Sequence, residues 1–172
     1  TPCIDTSEVV QNQTICTSRS FGEMVSDLPS LKASVASFAS SCANKLRGQN
    51  AGARFVTVFI CSNRFRDDLP QYGNSATYTF ITPTSDTLEI TSAALNLLKQ
   101  IYRPGIQYKK SGVIVGDIVS MSMLQMNLFD PIHNRKERTD LMKAIDVINH
   151  RYGLKTIKLL AGWDKDQKWK EK

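Results

Sequence analysis

The stretch Arg54-Phe55-Val56-Thr57-Val58-Phe59-Ile60-Cys61 decides the fold. Its side chains alternate between two faces, one with Val56, Val58 and Ile60, the other with Phe55, Thr57, Phe59 and Cys61. Successive side chains of a β-strand point to opposite faces of a sheet, so this period of two predicts a strand with one aliphatic face. That face needs a cover, and the helical patterns on either side of the strand can supply it.

The same strand–helix–strand unit occurs twice along the chain. Strands are predicted over residues 14–21 and 76–81 and from Arg54 and Lys110, and helices from Ser30 and Asp86. The two helices, like the strands that follow them, begin 56 residues apart. The order strand, helix, strand, strand, helix, strand predicts an α+β fold of the split β-α-β type. Such a fold is a four-stranded antiparallel sheet with two helices on one face.

The predicted helices have recognisable starts. Ser30 is the predicted N-cap of the first helix, and Asp86 with Glu89 forms a capping-box-like start for the second. Asn134 is the predicted N-cap of a third helix, which would form a C-terminal helical extension ending at Gly153.

The third helix has a predicted apolar stripe of its own. The members of this stripe are Leu141, Ile145, Ile148 and Tyr152. A short strand or extended segment is predicted for residues 156–161.

The net charge of +6 is unevenly distributed. Lys and Arg exceed Asp and Glu by one in residues 1–60, are equal to them in 61–130, and exceed them by five in 131–172. A basic chain is typical of proteins that bind nucleic acid or an acidic surface, but here the excess lies in the C-terminal part. No apolar run reaches the roughly 20 residues that span a bilayer, so no membrane partner is expected.

The start of the chain and its cysteines indicate in which compartment the protein is found and whether it binds a metal. The chain opens on Thr1 without a signal-peptide pattern, so we expect a fragment of a longer protein. Its four cysteines are far apart and its histidines number two, so no metal site is predicted. Free cytosolic thiols are therefore the expectation.

We find no catalytic constellation in the sequence. Neither histidine lies in the α/β body, and Asp67 and Asp68 lie in a polar loop that they are expected to solvate. The segment 48–52 lacks the Lys-Ser/Thr tail of a phosphate-binding loop. An active site contained wholly in this chain is therefore not expected.

A binding surface is the stronger hypothesis. Thr57, Thr77 and Thr79 share one strand face, and strand ends supply Arg19, Ser20, Lys109 and Lys110. Hydroxyls, backbone N–H groups and lysines contact phosphates without reading base sequence, which suits a protein that holds any duplex. The alternative, that these threonines are ordinary solvent-facing strand residues, stays open.

A second candidate site is the peptide Gln125-Met126-Asn127-Leu128-Phe129-Asp130. It resembles the sliding-clamp-binding peptide of bacterial replication and repair proteins, in which Gln, Leu and Phe insert into a clamp cleft. Adjacent exposed apolar residues behind a glutamine suit such a pocket. The alternative is that Leu128 and Phe129 cap the edge of the core.

Several further motifs resemble one known family. They are Ser18-Arg19-Ser20-Phe21-Gly22-Glu23, Lys45-Leu46-Arg47-Gly48, Tyr72-Gly73-Asn74-Ser75-Ala76, Thr82-Pro83-Thr84 and Gly112-Val113-Ile114-Val115-Gly116-Asp117. With the Gln125 peptide, and in this order, they resemble the C-terminal region of UmuC-type (ImpB/MucB/SamB) Y-family translesion DNA polymerases. The resemblance covers residues 13–162.

The resemblance implies a division of the chain. Residues 1–12 would link to an upstream thumb, 13–120 would be the little finger, 121–133 would carry the clamp-binding peptide, and 134–172 would be a C-terminal extension. The catalytic carboxylates and their Mg²⁺ would lie in an upstream palm, so this fragment is expected to be inactive alone.

The resemblance also implies the sites. Duplex would be gripped by Arg19, Ser20, Gly22, Thr57, Thr77, Thr79, Lys109 and Lys110, and the clamp by Gln125, Met126, Leu128 and Phe129. The implied function is error-prone translesion synthesis in DNA repair and SOS mutagenesis, with template–primer duplex, the sliding clamp and a UmuD-like subunit as candidate partners. The alternative is a clamp- or partner-binding adaptor without DNA contact. A small-molecule enzyme on the same sheet would need a polar pocket with a titratable group, and none is evident.

Overall fold

The computed structural model describes residues 14–123, 132, 134–153 and 156–158. Within them four strands and three α-helices follow one another along the chain. Their bounds are β1 Thr14–Val25, α1 Leu28–Gly48, β2 Ala51–Ser62, β3 Gly73–Thr84, α2 Thr87–Ile101, β4 Tyr108–Ser120 and α3 Arg135–Tyr152, with a 3₁₀ turn at Met121–Met123 after β4.

The four strands form one antiparallel sheet in the order β1-β4-β2-β3. The two strands that close the repeated units, β2 and β4, lie side by side at its centre. Helix α1 packs on β1, β4 and β2, α2 packs on β2 and β3, and the two helices contact each other. The predicted α+β fold, with two helices on one face of a four-stranded sheet, is therefore confirmed.

The core lies between the helices and the central strands. Val56 and Val58 of β2 pair with Val115 and Val113 of β4, and all four are inaccessible to solvent. Fully burying a valine contributes about 1.5–3 kcal/mol, so these cross-strand pairs anchor the two units to each other. The aliphatic face predicted for residues 54–61 is the face that the helices cover.

The start of α1 differs from the prediction. Its N-cap is Asp27, whose Oδ2 accepts a hydrogen bond from the Ser30 N–H at 2.9 Å, so the prediction that Ser30 is the cap was wrong. Pro29 lies inside the first turn, where the missing N–H has no intrahelical partner to lose, and the helix can begin before it. Asp86 caps α2 as predicted, its Oδ1 accepting from the Leu88 N–H at 2.8 Å.

The strands are longer than predicted. β1 continues through Gly22, the predicted end, to Val25, with a shift in its register against β4 between Ser20 and Val25. β3 continues to Thr84 and includes Pro83, which an edge strand tolerates because its outer N–H groups need no ladder partner.

The side of helix α3 that packs on the body coincides only in part with the predicted apolar stripe. Met142 is buried, whereas Leu141 and Tyr152 of the predicted stripe are 49% and 67% exposed. Ile145 and Ile148 of the predicted stripe are half-buried, so the docked side overlaps the predicted stripe and is shifted from it toward Met142. Asn134 precedes the helix but forms no side-chain cap, Gly153 ends it as predicted, and the described residues 156–158 form no strand.

Candidate nucleic-acid interface

The sheet surface opposite the helices, here called the open face, is defined by the strand register. Directly opposed residues share a face, and four rows of such residues cross β1, β4, β2 and β3. The rows are Thr14-Gly116-Phe55-Thr79, Cys16-Ile114-Thr57-Thr77, Ser18-Gly112-Phe59-Ser75 and Ser20-Lys110-Cys61-Gly73.

Two phenylalanine rings on the open face pack across glycines of the neighbouring strand. A Cβ atom on Gly112 would clash with the ring of Phe59, and one on Gly116 would clash with the ring of Phe55. Each ring therefore lies across the glycine of the neighbouring strand, an arrangement that shields the exposed backbone of glycine in a sheet. The proposed phosphate contacts do not explain Phe55 and Phe59. Their rings instead cover the glycine backbone of β4 and make this part of the open face flat.

The predicted threonines lie together on the open face. Thr57 and Thr77 are opposed in one row, with their Oγ1 atoms 2.7 Å apart, and Thr79 lies two residues along β3. Thr77 and Thr79 are exposed and Thr57 is half-buried. A threonine hydroxyl can donate one hydrogen bond and accept two, so this pair keeps capacity for an external partner.

Ser20 and Lys110 complete the predicted set on this face. They are opposed at one end of the sheet, and the Lys110 Nζ lies 5.9 Å from the ring centroid of Phe59. None of the sixteen residues in the four rows is Asp or Glu, so the rows carry no negative charge. The open face therefore combines hydroxyl groups and one ammonium group with a flat apolar area formed by the rings of Phe55 and Phe59.

The other three predicted DNA-contact residues lie elsewhere. Arg19 pairs with Ser111, whose hydroxyl is 3.2 Å from that of Ser34 in α1, so Arg19 belongs to the helix-covered face at the exposed edge of β1. The Lys109 Nζ donates to the carbonyl oxygens of Phe21 and Gly22, within the irregular part of β1. DNA contacts of these residues stay predictions.

The predicted clamp-binding residues, Gln125, Met126, Leu128 and Phe129, lie outside the described residues. The described chain reaches Met123 in the 3₁₀ turn that follows β4. The clamp contact therefore stays a prediction.

Helix α3 is held against the ends of α1 and α2 by ion pairs that the sequence did not indicate. Arg47 forms a bidentate pair with Asp146, with Nη2 to Oδ1 at 2.8 Å, and donates through Nη1 to the Ser85 carbonyl and the Thr87 hydroxyl. These charges are partly shielded, with side-chain exposures of 13% for Arg47 and 28% for Asp146.

Two further ion pairs join α3 to the start of α2. Arg135 lies 3.2 Å from Glu89, the residue that was expected to close a capping box, and Arg138 lies 2.6 Å from the cap residue Asp86. Two cations of the basic C-terminal part are thus neutralised by the body. Arg135 and Arg138 are three residues apart, a spacing that places both on one helix face, and this was the only signal in the sequence.

The three cysteines in the described part of the chain are all free. Cys42 lies on the buried side of α1 with its Sγ 3.3 Å from the Thr17 hydroxyl of β1, and burial raises the pKa of its thiol. Cys16 and Cys61 are free and lie in the open face. Among the described residues no three His, Cys, Asp or Glu side chains come together as a metal site, and no described helix is long and apolar enough to cross a membrane.

Residues 12–128 match the sequence profile of the impB/mucB/samB family C-terminal domain, which is more than half of the chain. The chain belongs to the impB/mucB/samB family. Residues 139–172, which include most of α3, match a domain of unknown function (DUF4113). The predicted resemblance to UmuC-type proteins is thereby confirmed.

Individual members of the impB/mucB/samB family align with 81–98% of the chain. Protein UmuC of Salmonella typhimurium is 39% identical over 169 residues, which are 98% of this chain and 40% of that protein. SamB of Salmonella typhimurium is 36% identical over 150 residues, and MucB of Escherichia coli is 36% identical over 139 residues. The chain spans 40% of UmuC, 35% of SamB and 33% of MucB.

Two solved structures of a more distant protein share the fold. The insertion ternary complex of Dbh DNA polymerase matches with a TM-score of 0.50 and 14% identity, covering 62% of this chain and 29% of that one. The post-insertion binary complex of the same polymerase matches with a TM-score of 0.51 and 15% identity. At this level of identity the likeness shows that this chain shares the fold, and it shows nothing further.

Proposed function

We propose that this chain is the little finger and C-terminal extension of an error-prone translesion DNA polymerase, and that its open face grips template–primer duplex. The observation that carries the proposal is the open face itself. Ser20, Thr57, Thr77, Thr79 and Lys110 share the sheet surface opposite the helices, whose rows contain no carboxylate. Such groups suit sequence-independent contact with a phosphate backbone.

Family membership and fold support the same proposal. The family contains UmuC and MucB, and two solved structures with this fold are complexes of Dbh DNA polymerase. We infer that nucleotidyl transfer, with Mg²⁺ on palm carboxylates, belongs to a region upstream of this chain. We also infer a role in SOS mutagenesis in the bacterial cytoplasm, with a UmuD-like subunit as a candidate partner.

Duplex binding by the open face is tested by its salt dependence. Each phosphate neutralised by a cation adds about 0.9 to the slope of log affinity against log salt concentration. Few cations line the open face, so we expect a slope worth about two to four phosphates, and Lys110→Ala should lower it by about one. The measurement is fluorescence anisotropy of a labelled blunt duplex.

Lys99→Ala is the matched control, because Lys99 is an exposed lysine in the last turn of α2, on the helix side of the sheet. Equal effects of the two variants, or binding that is indifferent to salt, would contradict duplex binding by the open face. A chain that binds the sliding clamp but no duplex would instead be the adaptor.

Clamp tethering is tested separately. Gln125, Met126, Leu128 and Phe129 are proposed to occupy an apolar cleft of the sliding clamp, where two large anchors carry most of the affinity. Because ordering a peptide costs part of that free energy, we expect micromolar affinity. Replacing Leu128 and Phe129 together by Ala should abolish clamp binding and leave the melting temperature nearly unchanged. A destabilised double variant that still binds the clamp would identify the two side chains as core caps.

A further inference from the structure

The loop between β2 and β3 exposes one aromatic side chain almost completely. Phe65 is 96% exposed, more than any other large apolar side chain in the described part of the chain. It lies between Arg64 and Arg66, in a loop that begins where the open face ends at Cys61. The loop was predicted only as a polar connector, so this residue has no role in the proposed duplex grip.

The loop that carries Phe65 is internally braced. The Asn63 Oδ1 accepts from the Phe65 N–H at 3.1 Å, and the Gln71 side chain donates to the Asn63 and Arg66 carbonyls at 2.9 and 2.8 Å. Arg66 forms a bidentate ion pair with Asp68 at 2.7 and 2.6 Å. Because the backbone is already ordered, an exposed ring there can contact a partner at a reduced entropic cost.

A basin of about 660 Å³ lies beside this loop, at the end of the open face. Arg64, Lys109 and Lys110 line it together with Phe65 and Phe59, and no carboxylate is among its described lining residues. The contacts of Lys109 with backbone carbonyls leave its positive charge in place. Three cations without a counter-charge favour a polyanionic ligand.

We propose that this basin binds an unpaired nucleotide of single-stranded DNA adjoining the gripped duplex. Phe65 stacks on the base, and Arg64 and Lys110 take the flanking phosphates. Single-strand binding proteins combine cationic grooves with aromatic stacking platforms in this way, without base preference. The inference rests on the proposed function, because it places the basin next to the duplex site. A protein partner is disfavoured because one exposed ring and three cations do not form an extended apolar patch.

The test compares a blunt duplex with the same duplex bearing an unpaired oligothymidine extension on either strand. Stacking on one base is worth about a 5- to 100-fold change in affinity, so the extension on one strand should tighten binding by about tenfold. Phe65→Ala should abolish this gain and leave blunt-duplex affinity unchanged, whereas Phe65→Trp should retain it. Val147→Ala is the control, because it truncates another exposed apolar residue, on α3.

A direct readout replaces the thymines of the extension by 5-bromouracil and locates the photocrosslink by mass spectrometry. We expect the crosslink at Phe65 in the wild-type chain and its loss in Phe65→Ala. If blunt duplex binds but neither extension adds affinity, the basin proposal fails while the duplex proposal stands. If the extension binds equally well in Phe65→Ala, cations alone hold it and the stacking role is overturned. If no DNA binds, the proposed function itself fails.

Discussion

The two sides of the sheet body use charge in opposite ways. On the helix side, three arginine–carboxylate pairs join α3 to α1 and α2, and the paired side chains are 11–28% exposed. On the open face, the rows hold one lysine and no carboxylate, and the floor consists of aromatic rings over glycines. Two of the cations in residues 131–172, Arg135 and Arg138, are therefore neutralised by carboxylates of α2 and its N-cap. For this reason net charge alone does not locate the proposed DNA site.

The largest expected effect comes from breaking the helix side at Arg47. Arg47→Ala removes the pair with Asp146 and two hydrogen bonds to the start of α2. Leaving a shielded carboxylate without its main partner is costly, and after allowing for the remaining exposure we expect a loss of about 2–3 kcal/mol. Urea denaturation measures the loss, and hydrogen exchange should show faster exchange of the α3 amides.

Arg54→Ala is the control for Arg47→Ala. Arg54 lies 3.5 Å from Asp117 with both side chains more than half exposed, and exposed pairs contribute about 0–1 kcal/mol. Equal destabilisation by the two variants would mean that shielding does not distinguish the pairs, and undisturbed α3 amides would mean that Arg47 does not hold the helix.

A smaller effect is expected on the open face at Phe59. Phe59→Ala uncovers the backbone at Gly112 and removes the ring from beside Lys110. Cross-strand aromatic contacts contribute about 0.2–1 kcal/mol, so we expect a loss of about 1 kcal/mol in thermal or urea unfolding. Phe65→Ala removes the same ring from a fully exposed position and should leave stability unchanged. A Phe59→Ala variant as stable as wild type would show that the ring does not support the sheet.

The periodicity of apolar residues predicted the helices and strands. The strand register and the orientation of α3 depend on contacts between residues far apart in the sequence, which periodicity does not show. Alternation in residues 54–61 predicted both faces of β2, and so placed Thr57 correctly. The register of β1 is set by its partner β4, and nothing in the local pattern put Arg19 on the helix side. For α3, the more apolar stripe through Leu141 and Tyr152 was the natural choice. The docked side is instead centred nearer Met142, on the side from which Arg135 and Arg138 form ion pairs with Glu89 and Asp86.

The smallest effect is expected at the ion pair Arg66–Asp68 in the β2–β3 loop. This pair is exposed to solvent, whereas the Arg47–Asp146 pair is partly shielded from it. The hydrogen bond from Arg66 lowers the pKa of Asp68. A carboxyl with a lowered folded-state pKa keeps its contribution above its ordinary pKa and loses it as the pH falls through the lowered value. The brace should therefore hold at neutral pH and open only below about pH 4.

Asp68→Asn imitates that loss at neutral pH, and Asp67→Asn is its matched control, since it makes the same change of charge on the neighbouring residue. Because the two side chains of the pair are 49% and 60% exposed, neither variant should shift the unfolding midpoint measurably. Asp68→Asn alone should speed hydrogen exchange of the loop amides, including that of Leu69, which donates to the Arg66 carbonyl. If the brace orders Phe65 for stacking, Asp68→Asn should also weaken binding of the extended duplex roughly two- to fivefold relative to Asp67→Asn. Equal binding by the two variants, with faster exchange in Asp68→Asn, would show that the loop need not be ordered before DNA arrives.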